Sequence, residues 1–169
     1  MKRIVIAVLF IVCMSSIAAA QTTSGFAFFA PGQLRGGGGS ATFLHFGGGA
    51  KYITSSRVGF GGELGLLGPK QNFSDLYGGE FSANAYYVLR TKTDRLLPFL
   101  TAGYTRTFGH ESGANMFNFG FGVDYWFKER MGGFVEFRDH VRRVETGTAA
   151  FSQKITFNLW EIRLGLTFK

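Results

Sequence analysis

From Asn115 to Phe127 the chain reads NMFNFGFGVDYWF. Every second residue from Phe117 is apolar: Phe117, Phe119, Phe121, Val123, Tyr125 and Phe127. Between them stand Asn118, Gly120, Gly122, Asp124 and Trp126. Side chains of a strand point alternately to its two faces, so period two means one oily face and one polar face. A chain made of such segments folds as a sheet, and the open question is whether the oily face turns inward or outward.

Alternating segments recur at Gly25–Ala30, Ala41–Ile53, Arg57–Leu66, Gly79–Arg90, Leu97–Phe108, Asn115–Phe127, Gly132–Arg142 and Thr156–Phe168. Most are about twice the length of a globular strand and match the ~9–11-residue tilted spans of membrane barrels. Short links follow the second, fourth and sixth segments: TSS at Thr54–Ser56, TKTDRL at Thr91–Leu96, and KERM at Lys128–Met131. Longer polar or glycine-rich links follow the odd ones, beginning at Pro31, Leu67, Gly109 and Val144. Pro31–Ser40 and Val144–Ile155 are thereby expected to be exposed loops. Short turns at one end and longer loops at the other describe an up-and-down barrel.

The N-terminus places the chain in an exported compartment. Lys2 and Arg3 precede the apolar run Ile4–Met14, and Ala18-Ala19-Ala20 supplies a small-residue cleavage site. Residues 1–20 read as a signal peptide, with a retained anchor as the alternative. Residues 21–169 are then one barrel domain without a cysteine, Cys13 being the only one in the chain. The net charge of +7 falls to +5 once Lys2 and Arg3 leave. Those charges are scattered singly, so nucleic acid is not expected as a partner. No later stretch approaches the ~20 apolar residues of a spanning helix, whereas twenty Phe and twenty-five Gly suit a phenylalanine-rich sheet.

An internal repeat supports this. Gly49, Tyr52, Arg57, Gly59 and Glu63 recur as Gly122, Tyr125, Arg130, Gly132 and Glu136. Phe46–Tyr52, Phe81–Tyr87 and Phe119–Tyr125 share one spacing, which sets Tyr52, Tyr87 and Tyr125 at one depth near the short-turn end. Tyr suits the membrane–water boundary, so these three are read as an aromatic girdle.

The second face carries His45, Lys51, Glu63, Glu80, Asp124, Glu136, Arg138, His140, Glu161 and Arg163, interspersed with glycines. Glycine weakens a solvent-facing strand, but in a narrow eight-stranded bore it makes room for large neighbours. Buried charges require partners. Glu63, Glu80, Asp124, Glu136 and Glu161 are therefore expected to pair with Lys51, Arg138 and Arg163 inside, leaving the phenylalanines outside. On strict alternation Asp139 and Arg106 fall on the oily face near the long-loop end, where a charge costs only ~0–1 kcal/mol. A bulge would instead turn either one inward.

The signal, the eight segments, VDYWFKERMGGFVEFRDH from Val123 and the ending IRLGLTFK from Ile162 resemble the small eight-stranded outer-membrane barrels of the outer membrane protein A and OmpX-like type. The resemblance implies an all-β transmembrane barrel in the outer membrane of a Gram-negative-type bacterium, set among lipid and lipopolysaccharide; a non-enzymatic structural or surface-interaction role without a cofactor is the expected function. It implies that the assembly machinery reads the last strand through Leu164, Leu166 and Phe168, which Lys169 follows. A peptidoglycan-binding domain like that of outer membrane protein A is not expected after the barrel. The outer loops would meet an extracellular partner that the sequence does not identify.

Other chemistries have weaker grounds. GFGGELG at Gly59–Gly65 lacks dinucleotide-loop spacing, and RGGGGS at Arg35–Ser40 lacks the Lys-Ser/Thr of a phosphate loop. His110, Glu111 and Ser112 are consecutive, whereas triad members meet from separate segments. His45 and His140 have no metal-ligand cluster around them. The alternatives are a lipid A deacylase- or acyltransferase-type enzyme and a soluble lipocalin-like barrel, which needs an apolar interior. No catalytic, metal or cofactor-binding residue is assigned.

Overall fold

A computed structural model describes residues 22–73, 77–89, 95–109, 113–148 and 151–169. Residues 1–20, read as a signal peptide, the TKTDRL link from Thr91 to Arg95 in large part, and His110–Ser112 lie outside the described residues. The strands are β1 (Thr22–Gly36), β2 (Gly39–Ile53), β3 (Val58–Pro69), β4 (Gly78–Val88), β5 (Leu96–Phe108), β6 (Ala114–Lys128), β7 (Met131–Thr148) and β8 (Phe151–Phe168). They pair in sequence order, all antiparallel, and β8 returns to β1 to close the barrel. Closure removes both sheet edges, so every strand has a ladder on each side.

The strands outrun the sequence reading at the long-link end. Pro31–Ser40 is mostly strand: β1 and β2 pair up to Gly36 opposite Gly39, joined by Gly37 and Gly38. Both central glycines have positive φ, 60° and 84°, the backbone of the tight hairpin turn whose twist suits the flanking strands. Val144–Thr148 and Phe151–Ile155 are likewise ladder, with β7 and β8 paired out to Thr148 opposite Phe151. Both segments look like loops because glycine and polar residues dominate them, but ladder hydrogen bonds come from the backbone and tolerate those side chains. At the opposite rim, Arg57 adopts φ 70° in the link between β2 and β3, where Thr54 Oγ1 donates to the Val58 carbonyl at 2.6 Å. Pro31, which has no N–H, falls where the β1–β8 ladder skips from Phe29 to Gly32.

The barrel is polar inside and apolar outside. Phe117, Phe119, Phe121, Tyr125 and Phe127 of β6 are all exposed, Phe117 at 71% and Phe121 at 61%. Phe60, Leu64, Phe81, Leu100, Val135, Ile162 and Leu164 continue that belt around the circumference. From Phe117 to Phe127 is ten residue steps; at ~3.3 Å each and a ~40° tilt the belt stands roughly 25 Å tall.

Candidate functional site

Strict alternation delivers each charged residue of the second face into the bore. Glu63 comes from β3, Glu136 and Arg138 from β7, and Glu161 and Arg163 from β8; all are buried. Arg138 donates through Nε and Nη2 to Glu136 Oε1 at 2.9 and 2.7 Å, and through Nη1 to Glu63 Oε1. Arg163 Nη2 donates to Glu63 Oε2 at 3.0 Å, and its Nη1 lies 3.4 Å from Glu136 Oε2. Two guanidiniums and two carboxylates thus form a four-cornered plug at mid-bore. Arg163 also lies over the Phe28 ring, 3.7 Å from its centroid.

One layer towards the β1–β2 turn, His45 Nδ1 sits 2.9 Å from Glu161 Oε2, and His140 Nε2 lies 3.5 Å from Glu161 Oε1. Glu80 is 3.7 Å from His45 Nε2 and accepts a 3.0 Å hydrogen bond from Ser82 Oγ. Ser82 and Asn118 both reach Thr105 Oγ1, at 2.7 and 2.9 Å, so the hydroxyls extend the network across β4, β5 and β6. Towards the other rim, Lys51 and Asp124 form a separate pair at 2.6 and 2.8 Å. Phe99, Tyr86 and Phe134 surround the Lys51 ammonium at 4.8 to 5.8 Å from their centroids, so its charge meets ring faces as well as a carboxylate.

His45 stands between Glu80 and Glu161, and Glu161 also meets His140 and, at 3.6 Å, Arg163 Nε. The histidines belong to the network as much as the residues chosen for charge alone. Sequence reasoning missed the buried aromatics Phe28, Phe99 and Phe134. Phe134 had a usable signal, since it shares parity with Glu136. Phe28 and Phe99 lie in segments apolar on both faces, where alternation carries no information. Bore glycines make room for these rings: a Cβ on Gly122 would lie 2.6 Å from Phe99, and one on Gly165 would overlap Phe134.

Tyr52, Tyr87 and Tyr125 point outward towards the short-link rim; Tyr87 and Tyr125 are exposed, whereas Tyr52 packs on Phe60 at 5.5 Å between centroids and its hydroxyl is buried without a hydrogen-bond partner. Leu164, Leu166 and Phe168 face outward on β8, and Lys169 Nζ folds over the inward-facing Trp126 ring at 4.2 Å. Asp139 and Arg106 both face outward with no bulge: the ladders run unbroken through Phe119–Asp139 and Phe81–Arg106. Each has a polar neighbour beside it, Asn158 Nδ2 donating to Asp139 at 3.1 Å and Arg106 donating to Asn115 at 3.4 Å. Among the described residues no group of His, Cys, Asp or Glu is arranged to hold a metal ion.

No family model matches the chain, and no curated protein matches it. The fold is similar to that of Neisserial surface protein A, with 17% identity, 89% of this chain and 99% of that one covered, and a TM-score of 0.64. It is similar to the N-terminal β-barrel domain of Pseudomonas aeruginosa OprF at 19% identity, covering 85% and 96% of the two chains, TM-score 0.52. A third likeness is to outer membrane protein AlkL in DMPC lipid bilayers, at 18% identity, 91% and 92% coverage, and TM-score 0.53. The chain has the closed eight-stranded barrel fold of these proteins.

Proposed function

We propose that the chain is an integral outer-membrane barrel with a structural or surface-interaction role and no catalysis. Its phenylalanine belt meets hydrocarbon, and its bore is closed by ion pairs. The observation that carries this reading is the inversion of polarity: fully buried arginines at the centre and half-exposed phenylalanines outside. In water such a surface would expose a continuous apolar belt far larger than soluble monomers carry. In a bilayer the same belt matches the ~25 Å apolar band of outer-membrane barrels. The likeness to an outer membrane protein held in lipid bilayers supports that setting. On this reading Tyr52, Tyr87 and Tyr125 mark one membrane–water boundary, lipid and lipopolysaccharide surround the belt, and the assembly machinery engages β8 through Leu164, Leu166 and Phe168. The rim bearing the β1–β2 and β7–β8 hairpins would present the surface to an extracellular partner. A lipid-modifying enzyme would need a His and a hydroxyl or carboxylate converging near the outer rim; His110, Glu111 and Ser112 lie outside the described residues.

The two tryptophans test the orientation directly. Trp126 points into the bore and Trp160 lies outside, stacked on Phe137 at 6.4 Å between centroids. In vesicles of brominated lipid, Trp160 fluorescence in a Trp126→Phe variant should be quenched, and Trp126 fluorescence in a Trp160→Phe variant should not. The reverse pattern, or a mature chain folded and monodisperse in plain buffer, would overturn the reading.

A further inference from the structure

Beyond the His45–Glu161–His140 layer, towards the β1–β2 turn, the bore changes character. Inward positions there include Leu34, Phe43, Met116, Phe157 and Leu159, which with Thr107 line a partly open pocket of about 250 Å³. An ion-paired plug at mid-bore would leave this end with nothing to do if the barrel were only a scaffold. Yet β7 brings two polar groups into the cavity wall. His140 is fully buried; its Nε2 faces Glu161, and its Nδ1 has no hydrogen-bond partner. Arg142 stands two residues further along the same face, and among the described residues it makes no ion pair. About 7 Å separates such positions along a strand, so a flexible guanidinium and a fixed imidazole can address one small head group.

We infer that this end of the bore binds a small amphiphilic carboxylate, its head held between Arg142 and His140 Nδ1 and its body against Leu34, Phe43, Met116 and Phe157. A wholly apolar guest would leave the buried His140 nitrogen unpartnered and strip water from Arg142 without compensation. An anion answers Arg142 directly, and His140 where Nδ1 carries the proton it donates; a planar carboxylate matches the guanidinium fork. Size sets the body: a cavity of ~150 Å³ holds benzene, so a pocket of about 250 Å³ houses about eight carbons.

The test is equilibrium dialysis of labelled octanoate against the protein in lipid nanodiscs, with empty discs subtracted. Heat-modifiable migration on a gel reports separately whether each variant is inserted and folded, so a failed membrane reading is told apart from a failed site. Saturable binding of one equivalent is expected. Arg142→Gln should weaken it at least tenfold and Arg142→Lys much less, while octanol binding stays the same in both. Met116→Trp, which fills the cavity, should abolish binding. Uptake no greater than in empty discs would overturn the inference. So would octanoate affinity unchanged in folded Arg142→Gln or Met116→Trp.

Discussion

Lys51 and Asp124 show how one buried pair is held. The ammonium meets a carboxylate on one side and ring faces on the others, and both charges are out of water. Removing one partner from a buried pair leaves an uncompensated charge, at a cost of about 3–5 kcal/mol, whereas replacing both by apolar groups is often near neutral. Lys51→Met and Asp124→Leu should therefore each lower stability by about that much, and the double variant should recover most of the loss. Urea midpoints of the folded barrel in lipid, read by gel migration, measure the cycle; additive losses would show that the pair is not coupled. Glu63 bears more, because it joins Arg138 to Arg163. Glu63→Gln should be the more damaging single change, since two guanidiniums lose a carboxylate at once, and the same urea midpoint ranks it against Asp124→Leu. Charge and parity nominated these residues in the sequence. Which carboxylate meets which cation was not legible, because partners such as Glu63 and Arg163 stand 100 residues apart.

At the scale of the strand, alternation decides everything that lies outside. The outward row of β6 crosses the belt from Asn115 at one rim to Phe127 at the other, with Phe121 near the middle. Charge in a barrel's lipid face costs ~2–4 kcal/mol at the midplane and ~0–1 kcal/mol near the interface. Phe121→Arg should thus lower folding stability by about 2–4 kcal/mol, and Asn115→Arg by at most about 1 kcal/mol. Equal losses at both sites would argue against a membrane slab around β6. Outward-facing Arg106 and Asp139 fit this gradient, each lying towards the hairpin rim and each with an amide beside it. Strand ends were the part least legible in the sequence. Pro31–Gly36 and the polar run after Val144 lack the apolar alternation that marks a strand, yet they pair with their neighbours through backbone groups. At the turn, Gly38→Val should lower stability by about 1–2 kcal/mol, read as a lower urea midpoint, because its φ of 84° disfavours a branched side chain.

In the whole molecule, the repeat noticed along the chain becomes a spatial relation. Lys51 and Asp124 are 73 residues apart, the spacing of that repeat, and so are Glu63 and Glu136. In a ring of eight strands, β2 and β6 lie opposite one another, as do β3 and β7. Equivalent positions therefore face each other across the bore, which is how one repeat supplies the cation and the other the anion of a single pair. With this plug in place, protein reconstituted in planar bilayers should carry no steady ion current; a stable ohmic conductance would contradict the closed bore. The sequence alone determined the strands, their faces, the charged lining and the barrel class, because period-two patterning is a local property that each segment carries by itself. Only the tertiary structure decided the pairing of charges, the rings that divide the bore into layers, the length of the hairpins and the cavity beside Arg142. Those depend on which side chains share a height in a closed ring, and that is set by the registers of all eight ladders together.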